Sequence, residues 1–312
     1  ISMAESTVEH STDNLSELEE KQRIIDGNPF CYLKINDTRE LKLVESRRKC
    51  DLCQKSRKFF CYTCYHPVLS CKYYPRVKLP IKIDIIKHPR EIPGKSTAIH
   101  AAIIAPTDVK IYTYPDFPEI SNKEETVLVF PGKDSTKNIS VKDLFIRKEG
   151  KDDASGERSK TDLLWPIKRA IFIDSTWHQT KSIHKDQRLR ELRCVVLKSR
   201  VSQFWRHQKD SPRWYLATIE SIHQFLVELH TCAIGMDEDY EETIKRYLDV
   251  NDIKNTRYTD YIHQYSGINS EELMQKYSGQ YDNLLYFFKY MFEYIHSIYN
   301  RNQLKAYKRP LT

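Results

Sequence analysis

Four of the chain's eight cysteines fall into two Cys-x-x-Cys pairs, Cys50 with Cys53 and Cys61 with Cys64, seven residues apart. A Cys-x-x-Cys turn can place two thiolates on one edge of a metal. Two such turns complete the closed tetrahedron that structural Zn²⁺ prefers. A four-thiolate shell leaves no open position, so such a metal would hold the fold rather than react. Buried free thiols or a redox pair are the plainer alternative, and the paired spacing weighs against them. Cys71 or His66 could replace one ligand, while Cys31, Cys194 and Cys232 read as ordinary thiols. Basic residues crowd the cluster: Arg47, Arg48, Lys49, Arg57 and Lys58, interleaved with Phe59, Phe60, Tyr62 and Tyr65. Cations could meet phosphates there and rings could stack unpaired bases. Packing of a small knuckle explains the same aromatics equally well.

The second chemistry-bearing run is Asp174-Ser175-Thr176-Trp177, directly after the apolar Ala170–Ile173. A carboxylate at the C-terminal end of a buried strand sits where open α/β sheets place ligands. The same residue types are also good helix N-caps, and local physics alone favours the cap.

These residues need elements to position them. The β-branched runs at 78–86, 109–114, 126–130, 170–173 and 195–197 predict strands. Helices are expected over 98–104, capped by Ser96, and over about 179–192. Ile219, Ile222, Leu226 and Leu229 lie at helical spacing after Thr218, as do Leu284, Phe288, Met291, Ile295 and Ile298 near the end. Short strands alternating with helices make an α/β domain. The expected organisation is a polar, partly disordered lead-in at 1–44 with a helix over 14–25, a zinc knuckle at 45–76 and the main α/β domain at 77–312. That domain would carry a polar linker at 133–162 and an exposed insertion at 237–276.

Composition narrows the function. The 312 residues include only 8 Gly, and neither G-x-x-x-x-G-K-[ST] nor G-x-G-x-x-G occurs, which argues against P-loop enzymes, kinases and ordinary dinucleotide-binding folds. A net charge of +7 permits a nucleic-acid partner without requiring one. No signal peptide or membrane span is expected, and clustered cysteines suit a reducing compartment, cytosol or nucleus.

The Asp-x-Thr-Trp run resembles the signature of the DTW-domain family, RNA aminocarboxypropyltransferases whose fold is similar to the knotted SPOUT methyltransferases. The likeness extends over about two-thirds of the chain. It includes Cys50 to Val68, Lys78 to His100, Ile111 to Tyr114, Val129 to Gly132, Phe204-Trp205-Arg206-His207-Gln208-Lys209, Ala217-Thr218-Ile219-Glu220 and Gly279 to Leu285. The animal branch that acts on tRNA is most similar. A block that often reads Ser-Thr-x-Glu-Ala in the family has Ala217 and Ser221 at its ends here.

The resemblance implies a SPOUT-like, trefoil-knotted fold. It also implies transfer of the 3-amino-3-carboxypropyl group of S-adenosylmethionine to N3 of a uridine in the tRNA D-loop, with methylthioadenosine released. Asp174, Thr176, Trp177 and Arg206 would then serve catalysis. Ser96, Thr97, Pro131, Gly132, Ser175, Thr218 and Glu220 would line the cofactor pocket, with Glu220 alternatively pairing with Arg206. Arg47, Arg48, Lys49, Arg57, Lys58, His207 and Lys209 would meet RNA. A nuclear location follows from the family, with the cytosol as a second compartment, and no obligate protein partner is implied. A SPOUT-type RNA methyltransferase and a non-enzymatic zinc-knuckle RNA-binding protein are the competing expectations.

Overall fold

The computed structural model describes residues 19–20, 22–130, 138–145, 165–197, 200–208, 211–244 and 275–309, with the backbone alone at 177 and 178. Six strands build the central sheet: β1 (Lys82–Lys87), β2 (Val109–Thr113), β3 (Thr126–Val129), β4 (Asn138–Ser140), β5 (Arg169–Asp174) and β6 (Arg193–Val196). They lie in the order β2-β1-β5-β3-β6-β4, and every pairing is parallel. Parallel strands bury both faces, which is why the central ones read as unbroken apolar runs. Successive side chains still part to opposite faces. Ile83, Ile85, Val127, Val129, Ala170 and Phe172 enter the main core. Ile86, Leu128 and Ile171 enter a smaller one on the other face, closed by Ile183, Leu189 and Leu192.

Helices cover the sheet: α1 (Ala98–Ile104), α2 (Trp177–His184), α3 (Gln187–Arg190), α4 (Thr218–Ile234), α5 (Glu238–Ile244) and α6 (Tyr286–Ile298). Every residue of α1 is buried, so it lies between layers rather than on the surface. No helix among the described residues is long and apolar enough to cross a membrane.

Several expectations need correction. The helix predicted over 179–192 is two helices, because Asp186 accepts the Arg188 N–H at 3.0 Å and caps a new start. The stretch 133–162 is not linker throughout. Residues 138–140 form the edge strand β4, and the turn Lys142–Phe145 buries Leu144 and Phe145. A three-residue edge strand flanked by polar residues leaves too little alternation to be read. The expected insertion begins with α5, which buries Tyr240, Glu241 and Ile244. Residues 131–137, 146–164 and 245–274 lie outside the described set. The lead-in is built into the fold from Asp26 onward, with Phe30, Leu33 and Leu41 in the core.

Asp282 ties these late and early segments together. Its fully buried carboxylate accepts from the Lys34 N–H at 2.7 Å, Tyr240 at 2.6 Å, Tyr277 at 2.7 Å and His223 Nε2 at 2.9 Å. Burial opposes the charge, but the His223 ring and the tyrosine hydroxyls outweigh it and hold the carboxyl below the usual value of 3.8. Burial lowers the His223 pKa against the opposing pull of Asp282, and the tyrosine hydroxyls and the Lys34 N–H share in holding the anion. Asp282→Ala is expected to cost about 3–5 kcal/mol, the range for breaking a buried charged network, read as a lower denaturation midpoint. With the folded value below the unfolded one, this stability is complete at neutral pH. It declines as pH falls past 3.8 toward the folded value. An unchanged midpoint in Asp282→Ala would remove Asp282 from this role.

Candidate active site and cysteine cluster

Two small hairpins carry the cysteines. Arg48–Lys49 pairs with Ser56–Arg57, and Phe60–Cys61 pairs with His66–Pro67, both antiparallel. Gln54 and Tyr65 have φ of 57° and 54°, and each directly follows the second cysteine of a pair. The left-handed residue turns the chain back so that both thiols of a pair face inward. Glycine usually marks such a position, so neither turn was legible in the sequence. The four sulfurs lie within 4.8 Å of one another, and Cys53 and Cys61 are 3.5 Å apart. A tetrahedron with metal–sulfur bonds of about 2.3 Å has edges of roughly 3.8 Å, so the set fits a metal. Burial opposes ionisation of Cys61, yet the N–H groups of Cys64 and Thr63 bring its thiol down to about 6. Hydrogen bonding to Cys53 pushes Cys64 up to about 12. Four thiolates at this spacing repel one another, and a dication would resolve that conflict. His66 sits in a hairpin strand and Cys71 is exposed; neither joins the four.

The aromatic neighbours divide. Phe59 and Phe60 are core residues, packed on Tyr290 and Phe287 at 5.2 and 5.0 Å between ring centres. They are not free to stack bases. Arg57 is also turned inward, with its guanidinium 4.0 Å above the Tyr62 ring and donating to Thr63. Arg48 and Lys49 are exposed, and Arg47 donates to the Ser56 carbonyl at 2.8 Å.

The carboxyl ends of β1, β3, β5 and β6 open onto a cleft of about 650 Å³. Asp174 closes β5 at its edge and is 4% exposed. Ser96 donates to one of its oxygens at 2.7 Å and Thr218 to the other at 2.6 Å. Ser96 also accepts the Ala98 N–H at 3.2 Å, at the start of α1. Thr97 accepts the Ile219 N–H at 3.2 Å, at the start of α4. The beginnings of two helices are thus fastened to the end of one strand. Burial raises the Asp174 pKa; Ser96, Thr218 and the nearby Lys87 pull it down without cancelling the rise.

Arg206 lines the same cleft and donates to the Gly94 carbonyl at 3.3 Å. The acid facing it is Glu91, whose pKa is raised by burial and then by the Asp174 charge. Glu91 carries no strand-end mark in the sequence: it lies four residues past the end of β1, whereas Asp174 is the last residue of β5. Ser175 lies 2.6 Å from the Thr180 hydroxyl and also lines the cleft. Thr176 caps α2, its N–H donating to Gln179 Oε1 at 3.3 Å. The cap reading therefore holds for Thr176 and fails for Asp174.

Glu220 corrects an expectation. It is fully buried and accepts from the Ser202 hydroxyl at 2.6 Å, the Gln203 N–H at 2.7 Å and the Ala217 N–H at 2.9 Å. It forms one arm of a capping box, lines no part of the cleft and does not pair with Arg206. Ala217 lacks the hydroxyl for the other arm; Thr97, from across the core, accepts the neighbouring Ile219 N–H instead. Asp26 braces the same loop, accepting from Arg213 at 2.8 and 2.9 Å and from Gln203 at 2.9 Å. His207 and Trp214 are exposed on the cleft wall. Pro131, Gly132, Lys209 and the Trp177 side chain lie outside the described residues.

The family profile described as the DTW domain matches residues 58–296. A Xenopus tropicalis protein named tRNA-uridine aminocarboxypropyltransferase 1 is 38% identical over 297 residues, 87% of each chain. The Homo sapiens protein of that name is 41% identical over 276 residues, 80% of this chain and 77% of its own. The Mus musculus one is 40% identical over 277 residues, with the same coverage of 80% and 77%. No solved structure matches this chain.

Each hydroxyl on Asp174 stabilises its ionised form. Ser96→Ala and Thr218→Ala should therefore each push the carboxyl further up, as followed by carboxyl-carbon NMR titration. A wild-type Asp174 titrating at the ordinary 3.8 would contradict the geometry.

Proposed function

The chain belongs to the DTW domain family, and we propose that it transfers the 3-amino-3-carboxypropyl group of S-adenosylmethionine to N3 of a uridine in the tRNA D-loop. The enzyme is a transferase acting on tRNA uridine, as its relatives' names state of them. The structural observation that carries the reading is the cleft over the strand ends, with the buried, raised-pKa carboxylate of Asp174 at its base and apolar side chains beside it. Its volume suits a nucleoside-sized donor.

The reaction needs one bond made, one broken and one proton moved. N3 attacks the γ-carbon of the donor's carboxypropyl chain, and the carbon–sulfur bond breaks. The sulfur keeps the electron pair, so the positive sulfonium leaves as neutral methylthioadenosine. The N3 proton passes to a base. We assign Asp174 that proton or the holding of the uracil edge: burial makes it a better acceptor than an exposed aspartate, which is too acidic to compete. Ser96, Thr97, Ser175 and Thr218 line the donor's side of the cleft. Arg206 offers a planar fork for the donor carboxylate or an RNA phosphate.

A SPOUT-like, trefoil-knotted arrangement is part of the same proposal; the parallel six-stranded sheet with ligands at its carboxyl edge is compatible with it. So is zinc at Cys50, Cys53, Cys61 and Cys64, where the four-sulfur donor set supports a structural ion. Arg48, Lys49 and His207 remain exposed for RNA. A nuclear site of action rests on the family reading alone.

Asp174→Asn is expected to lower kcat/KM for tRNA by about 10²–10⁴, the usual worth of a proton-transfer group, with donor affinity by calorimetry essentially unchanged. Full activity in that variant removes Asp174 from the chemistry. Product analysis decides the reaction: methylthioadenosine supports aminocarboxypropyl transfer, whereas S-adenosylhomocysteine would mean methylation. Metal analysis should find about one zinc per chain, lost together with thermal stability in Cys61→Ser; metal-free wild-type protein of equal stability would rule the ion out.

A further inference from the structure

A second cavity, about 280 Å³, opens between the cysteine hairpins and α6. It adjoins the active-site cleft along the turn Lys95-Ser96-Thr97 and the side chains of Phe204 and Arg206, which line both. Arg47, Arg57, Lys58, Lys95 and Arg206 contribute cations to it, and no acidic residue lines it among the described residues. Its floor is uncharged: His100 is buried, and burial lowers its pKa to about 3. Over that floor stand the rings of Tyr62, Tyr290 and Tyr294. Tyr290 and Tyr294 are stacked, with ring centres 6.3 Å apart and planes 12° from parallel. Tyr290 is buried, while Tyr294 is 50% exposed. Glu91 faces Arg206 and Lys95 from the main cleft, but no acidic residue of the groove's own lining stands beside Lys58 and Arg47. An outward-facing ring backed by a second ring, beside those two cations, is the chemistry of a single-stranded nucleotide site. A protein or lipid partner would not need that pairing of a flat ring with an anion site. The cavity has less than half the volume of the main cleft, which restricts it to about one nucleotide.

We infer that this groove holds the nucleotide next to the target uridine, its base against Tyr294 and its phosphate on Lys58. The inference rests on the tRNA-uridine reading above and adds a specificity subsite to it. The site explains why the cysteine hairpins sit beside the cleft: they supply one wall of the groove, through Arg57, Lys58 and Tyr62. A loop nucleotide seated there would draw its neighbour out of any stack and toward Asp174, so the groove aligns the uridine before chemistry.

Steady-state kinetics on full-length protein with tRNA test this. Tyr294→Ala should raise the tRNA KM about tenfold, the effect of losing one stacked base, while the KM for S-adenosylmethionine moves less than about twofold. Tyr294→Phe should restore the tRNA KM, and Tyr299→Ala, exposed on the same helix end but outside both cavities, should not change it. Lys58→Gln should flatten the dependence of log Kd for tRNA on log salt by about one phosphate contact. This variant keeps the test open if Tyr294→Ala destabilises the fold. Wild-type activity with an unchanged tRNA KM in Tyr294→Ala and an unchanged salt slope in Lys58→Gln overturns the groove alone. A rise in the donor KM equal to that for tRNA would assign the groove to the donor and also overturn it. Wild-type protein that makes no aminocarboxypropyluridine in tRNA overturns the function itself, which separates the two failures.

Discussion

A carboxylate buried at the end of a parallel strand is the constraint around which this molecule is arranged. Taking an ion out of water costs several kcal/mol even after relaxation. A hydrogen bond to a charged group returns about 1.5–3 kcal/mol. Asp174 has two such bonds, from Ser96 and Thr218, enough to offset most of the cost but not all. The remainder is the upward pKa shift. The balance gives the group a readiness to take a proton that a solvated aspartate lacks. It also dictates architecture, since the two donors open α1 and α4 and must converge on one strand end. The Thr97 hydroxyl completes the convergence by capping α4 from the α1 side.

This explains what the sequence made legible. Asp174 stood out because it ends an apolar run, and a strand end is a local feature. Helix α1 was legible to the residue because Ser96 and an unbroken small-apolar stretch mark both its start and its interior. The cysteine set was legible because metal geometry is encoded in spacing. What stayed hidden depends on contacts between distant segments. Glu220 looked like a pocket residue, since a glutamate near a helix start carries no mark of which way it faces; Ser202 and Gln203 settle that from eighteen and seventeen residues away. Glu91 stayed hidden because the polar turn His88-Pro89-Arg90 separates it from its strand's end. Phe59 and Phe60 could have faced RNA or core, and packing on α6 and, for Phe60, on His100 of α1 decides it.

That helix links the two sites. Phe287, at its start, touches Phe60 of the second cysteine hairpin, Tyr74 after it and His100 of α1. Asp282, in the turn just before, is bonded to α4 through His223. Displacement of the cysteine hairpins would therefore be transmitted first to α1 and α6, the walls of the smaller groove, and only then to the clasp at Asp174. Asp174 itself is held by hydroxyls at the starts of α1 and α4, and the second hairpin reaches it only through the field at Tyr65 among the described residues. A metal held by the four cysteines would thus bear first on how substrate is presented. This division suits an enzyme whose donor carries its own activation: the protein's harder task is to bring one nitrogen of one base into line, and rigidity is needed most along the path by which that base arrives.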